Sequence, residues 1–523
     1  MDSIRKHIDL TFLGVVALAG VLLGFYATSK YGAGLPSDSM RYISVSENLL
    51  NGQGFIDYDQ MRLIWFPPLL PLLIAGLSYL LNADVFLVGW HLNIFLWGLN
   101  LFLIGLFLRK VFRNTPVYFY IALLIIFLSP SSLFMHTSIL TEPLFLTFSL
   151  LFFFVSSQYL EKRNSSALYW MILLAIGASL LRWAGMSHIV VGGLIVLLAW
   201  RSNLKTGFLL SALFSFVSFL PVAVWIYFHN YLPTGTLWGS SSKGNVFVVE
   251  NILQALRKIF YWFVPYRPIS PEGKLEPVIF LVVMLLVFLI LNRKQHWQAW
   301  GREFLRPLVL VATLFASLSF VATALMTQTY DHRALGSDRY YALLLAPILV
   351  VLFLTFDHLL RPHLRISSAK IHAGLILLFL FWSALPVVRL TKYLQISLKE
   401  GEAAYNLHNI RIYHESEIIA QAQSILAQEP QAVFYSNIPA PVWFFTRKPL
   451  TSMIPKNRNW SKDDFKESMA GWPYDKPGYV IWFENDPYKV FYPPLDLYLI
   501  ADIHPVYEAS DGTIYYVSAR NQP

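Results

Sequence analysis

Long apolar stretches alternate with short charged segments over most of the chain. An α-helix needs ~20 apolar residues to cross the ~30 Å hydrocarbon core of a bilayer, and shorter stretches can borrow flanking residues. Eleven stretches meet this requirement, so the pattern predicts an α-helical polytopic membrane protein. The predicted transmembrane helices cover residues 10–28, 84–108, 116–135, 142–160, 167–182, 187–200, 206–228, 276–292, 307–327, 340–356 and 371–389.

A further apolar stretch, residues 66–81, is short and carries three prolines in its first turns. Membrane proteins concentrate Lys and Arg in their cytoplasmic loops. Every short loop obeys this rule if residues 66–81 lie along the outer interface, so we predict a juxtamembrane helix there and a C-terminus outside. The cations that then face the cytoplasm are Arg5, Lys6, Arg109, Lys110, Arg113, Lys162, Arg163, Arg201, Lys205, Arg293, Lys294, Arg302, Arg306, Arg361, Arg365 and Lys370.

The predicted outward segments are residues 29–83, 229–275, 328–339 and 390–523. In the last segment polar residues return, and residues 414–428 have the pattern of an amphipathic helix. The runs AVFYS, YVIWF and TIYYVS follow, each typical of a strand bounded by turn residues. We therefore predict a transmembrane domain over residues 1–389, with a first outer loop at 29–83. A small extracytoplasmic α/β domain is predicted over residues 390–523.

Composition excludes a water-soluble protein. Of the 523 residues, 56% are hydrophobic and only 14% are charged, with a mean hydropathy of +0.51. Soluble domains carry about 25% charged residues, so the charges here are too few to cover several soluble cores. The absence of cysteine excludes disulfides and thiolate chemistry. The net charge of +9 is explained by the cytoplasmic loops, because no basic stripe with interleaved aromatic residues indicates nucleic acid binding.

Four ionisable residues at the ends of predicted spans are candidates for chemistry, because charge is costly there. They are Asp38, Glu142, Arg182 and Arg339, and all fall near the predicted outer face. A helix is predicted here, with Ser37 as its cap and Gly52 and Gly54 at its end. Asp38 either complements the dipole of this helix or acts as a general base. Arg41, Tyr42 and Asn48 lie on or beside that helix.

The other three candidates also have two interpretations each. Glu142 is either a first-turn acid before Pro143 or part of a site. Arg182 and Arg339 either extend their side chains towards the membrane interface or contact phosphate, for which the planar guanidinium is suited.

Other signals have little support. Asp57 and Asp59 form a D-x-D of the kind that binds metal and pyrophosphate in nucleotide-sugar enzymes, but no βαβ unit accompanies it. The histidines lack H-x-x-x-H and H-E-x-x-H spacing, and there is neither a P-loop nor a G-x-S-x-G motif. No metal ligands are therefore predicted, although a need for a divalent metal ion is left open.

A series of short motifs resembles a known family. The order is D-x-x-x-Y (Asp38 to Tyr42), N-L-x-x-G-x-G-F (from Asn48), F-P-P-L-x-P-L-L (from Phe66) and T-E-P-L-F (from Thr141). It resembles bacterial membrane glycosyltransferases of the GT-C fold, in the branch that includes protein O-mannosyltransferases and the lipid A aminoarabinose transferase. Residues around Arg182, 229–240, 338–347 and 435–449 are also similar, so the likeness covers nearly the whole chain.

The resemblance implies transfer of a sugar from a polyprenyl-phosphate carrier to an acceptor at the outer face, with inversion. Asp38 would be the catalytic base, with Glu142 assisting. Arg182 and Arg339 would bind the donor phosphate, and Tyr42 and Asn230 the sugar or acceptor. Two positions depart from the family pattern: Ser39 replaces a frequent Glu, and His229 a frequent Arg.

We therefore predict a multi-pass glycosyltransferase of the bacterial inner membrane, with an active site on the extracytoplasmic side and an envelope lipid, polysaccharide or protein as acceptor. The alternatives are a transporter or flippase of lipid-linked sugars, an O-antigen ligase or polymerase, and a non-catalytic envelope scaffold. A transporter is expected to have charged or broken helices near the bilayer midplane. A ligase is expected to have its large outer loop late in the membrane region.

Overall fold

The computed structural model describes residues 2–237, 248–263, 282–286, 289–290, 292, 294–326, 339–401, 407–451, 453–457, 461–474, 476–486 and 489–520. The chain divides into two compact units. Unit 1 comprises Met1–Ala27, Ile64–Leu70 and Trp90–Gln395, and unit 2 comprises Thr28–Leu63, Pro71–Gly89 and Ile396–Pro523. Most of the predicted first outer loop is thus grouped with the C-terminal segment. The boundary predicted after residue 389 stays a prediction.

Helices dominate the described residues up to residue 400. They are α1 (Asp2–Ala27), α2 (Ser37–Leu50), α3 (Leu69–Leu81), α4 (Val85–Val111), α5 (Pro116–Phe127), α6 (Pro130–Thr137), α7 (Glu142–Lys162), α8 (Ser165–Leu181), α9 (Met186–Ala199), α10 (Leu204–Trp225), α11 (Leu232–Thr234), α12 (Val248–Phe263), α13 (Lys294–Phe304), α14 (Pro307–Met326), α15 (Arg339–Ala342), α16 (Leu345–Thr355) and α17 (Ser368–Glu400). A 3₁₀ turn covers Trp183–Gly185, and π-helical turns cover Ile226–Tyr231 and Phe356–Leu360.

Within the described ranges, six helices are long and apolar enough to cross a membrane, or up to eight if each of two bent pairs counts as one span. The six are Ile4–Ala27, Val85–Val111, Glu142–Lys162, Leu204–Thr234, Leu345–His363 and Ser368–Glu400. They overlap six of the predicted spans and confirm a multi-pass membrane protein. The predicted spans 167–182 and 187–200 are shorter apolar helices, and about half of 276–292 lies outside the described residues. The number of eleven stays a prediction.

Two predicted spans are not single straight helices: 340–356 is divided between α15 and α16, and 116–135 is bent. Residues 116–135 form α5 and α6, which meet at an angle of 55°. Pro130 starts α6 and has no N–H to continue the hydrogen bonds of α5, and Ser129 accepts a hydrogen bond from the N–H of Ser132. The sequence pattern missed this break because both halves are apolar.

The short helix α3 lies where a juxtamembrane helix is predicted at residues 66–81. Its 13 residues span ~20 Å, less than the ~30 Å of a bilayer core, at ~1.5 Å per residue. Its position at the outer interface stays a prediction.

Side chains and backbone of the first loop bind the C-terminal segment inside unit 2. The amide of Asn409 donates to the carbonyls of Tyr31 and Ala33, at 2.5 and 2.9 Å. Arg447 forms ion pairs with Glu47 at 3.0 Å and Asp84 at 3.4 Å. These contacts join parts of the chain that are more than 300 residues apart, which explains why both belong to one compact unit.

A four-stranded sheet completes unit 2, and this confirms a small α/β element at the C-terminus. Its strands are β1 (Phe434–Ser436), β2 (Gly478–Phe483), β3 (Ala501–Ala509) and β4 (Gly512–Ala519), in the order β1-β2-β4-β3. Only β1 and β2 are parallel. The helices of this segment are α18 (Arg411–His414), α19 (Glu417–Gln428), α20 (Pro439–Thr446), α21 (Lys462–Ser468) and α22 (Pro494–Leu497).

The sequence patterns indicated the amphipathic helix and three of these strands but not β3. Pro505 interrupts the pattern of β3, and the register with β4 shifts between Pro505 and Tyr507. Proline is tolerated there because β3 is an edge strand, where a missing N–H need not break a ladder on both sides.

Candidate functional site

The first turn of α7 places a carboxylate inside unit 1. Glu142 is the first residue of this helix, and Pro143 follows it. Proline is favoured at helix starts because it lacks an N–H where an N–H would have no partner within the helix. Glu142 is only 1% exposed, and Oγ1 of Thr141 lies 3.3 Å from its Oε2. A carboxylate buried to this extent requires compensating charge.

Arg182 supplies the first compensating charge. Its Nη1 lies 2.7 Å from Oε1 of Glu142 and donates to Oγ1 of Thr141, also at 2.7 Å. Arg182 follows α8 directly, with an extended backbone at φ −150° and ψ 147°. It therefore leaves the helix axis and turns towards the start of α7.

The backbone just after Arg182 fixes this turn. The N–H of Gly185 donates to the carbonyl of Arg182 at 2.8 Å. A Cβ atom added to Gly185 would lie 2.0 Å from the carbonyl oxygen of Ala178, so no side chain fits at this position. Glycine is thus required where the 3₁₀ turn packs against the last turn of α8.

Arg339 supplies the second charge from a distant part of the chain. It begins α15, and its Nε lies 3.5 Å from the same Oε1 of Glu142. Its Nη2 donates to the hydroxyl of Tyr340 at 2.9 Å, and the guanidinium carbon lies 4.9 Å from the centre of that ring. Arg182 lies 5.7 Å from the same ring centre, so Tyr340 contacts both arginines.

The structure thus brings together three of the predicted site residues, Glu142, Arg182 and Arg339. Two guanidinium groups face one carboxylate, which leaves one positive charge in excess among the three. The arginine side chains are 17% and 14% exposed, so they retain limited access while the carboxylate is buried. Guanidinium groups in such a setting can bind phosphate or stabilise a developing anion. Thr141 and Tyr340 were not predicted, although each is adjacent in sequence to a predicted residue.

A cavity of about 260 Å³ in unit 1 adds apolar surface near α15. Ile259 and Trp262 of α12, like Tyr340, pack against the cluster that contains Tyr341 and Leu344. Trp262 also lines the cavity, as does Leu345, the residue after Leu344. Two cations that were not among the predicted site residues, Lys258 and Arg389, line it as well. Its other lining residues are Ile125, Ser129, Pro130, Ser131, Trp382, Leu385 and Pro386.

Asn230 occupies a different place in unit 1. It is buried in the π-helical turn, and its amide nitrogen donates to the carbonyls of Ile64 and Leu237, at 3.1 and 2.9 Å. Both donated bonds go to backbone, so they hold two loops together. Among the described residues, its Oδ1 has no hydrogen-bond partner.

Asp38 and Tyr42 belong to unit 2. Asp38 lies half-buried in the first turn of α2, where a negative charge complements the helix dipole. The prediction that Ser37 caps α2 is wrong, because Pro36 holds the N-cap position and Ser37 is already helical. Tyr42 is buried at 3% exposure. The helix ends as predicted, with positive φ angles of 73° at Gly52 and 81° at Gly54.

The D-x-D motif has a structural role in unit 2. Asp57 is fully buried and forms an ion pair with Arg41, and its Oδ1 accepts the N–H groups of Asp59 and Met61 at 3.0 Å each. Burial raises the pKa of Asp57, and Arg41 opposes this increase. Burial, together with the charge of Asp57, raises the pKa of Asp59 to about 6.

Among the residues that the structure describes, no three His, Asp or Glu side chains form a group that could hold a metal ion.

Comparisons with known proteins identify the fold. No protein-family model matches the sequence, and no curated protein matches it. Among solved structures, ArnT from Cupriavidus metallidurans bound to undecaprenyl phosphate is similar, with a TM-score of 0.57, 13% identity and coverage of 98% of both chains. The apo state of ArnT has a TM-score of 0.55 at 13% identity, covering 97% of this chain and 98% of that one.

The archaeal oligosaccharyltransferase AglB from Archaeoglobus fulgidus, in complex with an inhibitory peptide and a dolichol-phosphate, is also similar. Its TM-score is 0.50 at 11% identity, and the match covers 92% of this chain and 70% of that one. At such low identity the likeness concerns the fold. The resemblance noted in the sequence is thus confirmed at that level: the chain has the GT-C fold of membrane glycosyltransferases.

Proposed function

We propose that the protein is a membrane glycosyltransferase that moves a sugar from a polyprenyl-phosphate carrier to an acceptor, with inversion at the anomeric carbon. The observation that carries the proposal is the convergence of Arg182 and Arg339 on Glu142. A cationic cluster suits a phosphate leaving group, and the cavity of mixed apolar and cationic lining beside α15 suits the lipid that bears it. The similarity to ArnT bound to undecaprenyl phosphate supports the same carrier class.

In the proposed reaction, an acceptor hydroxyl oxygen attacks the anomeric carbon while the bond from that carbon to the phosphate oxygen breaks. Polyprenyl phosphate leaves with one additional negative charge. Arg182 and Arg339 stabilise that charge, because preformed cationic donors are most effective where charge develops. The hydroxyl proton passes to a carboxylate base, for which we propose Asp38, the acid in the first turn of α2 to which the family resemblance assigns this role.

Glu142 is proposed to position the two arginines. Its Oε1 is the atom that both guanidinium groups approach, and at 1% exposure it is poorly accessible to an acceptor hydroxyl. We therefore favour this role over the assisting base inferred from the motif. Tyr42 and Asn230 are proposed to contact the sugar or the acceptor, the role that the family resemblance implies for them.

The proposed location is the bacterial inner membrane, with transfer at the extracytoplasmic face. The distribution of Lys and Arg supports this orientation, because it gives every short cytoplasmic loop a positive charge. The proposed acceptor is an envelope lipid, polysaccharide or protein.

The test is sugar transfer in membrane vesicles supplied with radiolabelled polyprenyl-phosphate sugars and envelope acceptors. Wild type should transfer label, and Asp38→Asn should lower the rate by about 10²–10⁴-fold, the usual contribution of a general base. Asp496→Asn is the matched control, because Asp496 is also a half-buried acid in the first turn of a helix.

Equal rates for wild type and Asp38→Asn, at equal abundance in the membrane, would exclude Asp38 as the base. No transfer by wild type from any lipid-phosphate sugar would reject the proposed function. Transfer from pyrophosphate-linked oligosaccharides would then indicate a ligase, and movement of the labelled lipid across the membrane would indicate a transporter.

A further inference from the structure

A second cavity, of about 630 Å³, lies in unit 1 beside the N-terminal turns of α1. Its volume is within the ~300–1,000 Å³ typical of ligand pockets. Its charged lining residues are Arg5, Lys6, Asp9, Arg109, Lys110 and Arg113, and its apolar ones are Leu103, Leu106 and Phe154. Five cations and one anion thus surround a single concave space.

Contacts among the charged residues fix the shape of this cavity. Asp9 is 2% exposed, accepts from Nε of Arg109 at 2.8 Å and from the hydroxyl of Tyr120 at 2.7 Å. Nη2 of Arg5 donates to the backbone carbonyl of Arg113 at 2.8 Å. These bonds connect α1, α4, α5 and the turn that follows α4, so the cations are held on a rigid frame.

The charge balance of the cavity favours an anionic ligand. Asp9 and Arg109 compensate each other, which leaves four further cations around the cavity, namely Arg5, Lys6, Lys110 and Arg113. Lys6, Lys110 and Arg113 are exposed. The positive-inside rule by itself explains why cations lie in the predicted cytoplasmic loops, but it does not require that these cations surround one cavity.

We infer that this cavity binds the headgroup of an anionic phospholipid from the leaflet on that face. Basic pockets between membrane helices on the cytoplasmic side commonly bind such headgroups. The phosphodiester would lie among Lys6, Lys110 and Arg113. An acyl chain would lie along the apolar wall formed by Leu103 and Leu106 of α4 and Phe154 of α7.

The apolar wall distinguishes this site from one for a water-soluble anion. A free phosphate would contact only the cations and would leave the cavity-facing surface of Leu103, Leu106 and Phe154 uncovered. A phospholipid would cover both the cationic and the apolar surface. The site is separate from the Glu142 cluster and uses none of its residues, so the inference stands apart from the proposed glycosyltransferase activity.

The test is native mass spectrometry of the purified full-length protein, titrated in detergent with phosphatidylglycerol or phosphatidylcholine. Wild type should retain phosphatidylglycerol in preference to phosphatidylcholine. The double variant Lys110→Gln/Arg113→Gln should bind phosphatidylglycerol roughly 30-fold more weakly, as expected for the loss of two cations beside an anionic headgroup. The backbone carbonyl that Arg5 contacts is unchanged in this variant.

Arg201→Gln/Lys205→Gln is the matched control, because it removes two exposed cations from another predicted cytoplasmic loop outside the cavity. This control should bind as wild type does. Equal weakening in both double variants, or no preference for phosphatidylglycerol in wild type, would overturn the inference. Displacement of the lipid by equimolar glycerol 3-phosphate would also overturn it, in favour of a soluble anion. If the double variant melts early in phosphatidylcholine, the single variants replace it, each with a weakening of about fivefold.

Discussion

Oε1 of Glu142 lies 2.7 Å from Nη1 of Arg182, and Arg339 approaches the same oxygen at 3.5 Å. One buried carboxylate therefore sets the positions of two guanidinium groups that come from distant parts of the chain. Like charges that share a site repel each other, so the arginines need the carboxylate between them to remain close. This relationship determines what substitutions in the cluster should do.

Glu142→Gln should disorganise the two arginines, because it removes the charge that holds them. Breaking a buried ion pair costs about 3–5 kcal/mol. We expect a lower melting temperature in detergent and a higher KM for the lipid-linked donor. Glu161→Gln, an exposed substitution near the other end of α7, should change neither. If Glu142→Gln instead removed the acidic limb of the pH–rate profile and left KM unchanged, Glu142 would be a base.

Gly185→Ala should move Arg182 without altering any charged group. The added methyl group would lie 2.0 Å from the carbonyl oxygen of Ala178, so the 3₁₀ turn must shift. A misplacement of about 1 Å can cost on the order of 10²-fold in rate. Transfer rates measured in vesicles should fall accordingly. Gly76→Ala is a suitable control, because a Cβ there would meet no atom within 4 Å; equal rates for the two variants would refute the close approach.

Arg41→Gln should destabilise unit 2, because it removes the charge that compensates the buried carboxylate of Asp57. The N–H groups of Asp59 and Met61 still donate to Oδ1 of Asp57 in this variant, so those two hydrogen bonds are kept. We expect a loss on the order of 3 kcal/mol in unfolding free energy. Thermal unfolding followed by circular dichroism measures this loss. An unchanged melting temperature would show that the ion pair contributes nothing to stability.

Asp59→Asn should have the opposite effect, and only above pH 6. The pKa of Asp59 is raised to about 6 in the folded protein, mainly by burial. A raised carboxyl pKa stabilises the fold at low pH, and this contribution is lost as pH rises from about 3.9, the ordinary value, through about 6. The variant should therefore have the melting temperature of wild type at pH 4. At pH 7.5 it should melt at a higher temperature than wild type, because its unfolding free energy is larger by on the order of 1–3 kcal/mol. An equal difference at both pH values would contradict the raised pKa.

The site residues show which features of the site can be predicted from the sequence and which cannot. A charged residue at the end of an apolar stretch is costly whatever the tertiary structure, because the cost comes from the membrane around that stretch. This local property identified Glu142, Arg182 and Arg339 as candidates. Their meeting at one oxygen depends on the packing of α7, α8 and α15, for which no spacing rule exists. For the same reason, the sequence indicated neither that Asp57 is neutralised by Arg41 nor that Lys258 and Arg389 line one cavity.

The sequence by itself determined the membrane class, the long apolar helices and the mixed helix and strand content of the C-terminal segment. Apolar length and alternation are properties of consecutive residues, and solvent and bilayer act on them directly. The tertiary structure alone decided the break between α5 and α6, the edge strand β3 with its Pro505, and the joining of the first loop to the C-terminal segment through Asn409 and Arg447. These features depend on hydrogen bonds and ion pairs between residues far apart in the chain, which the order of residues does not encode locally.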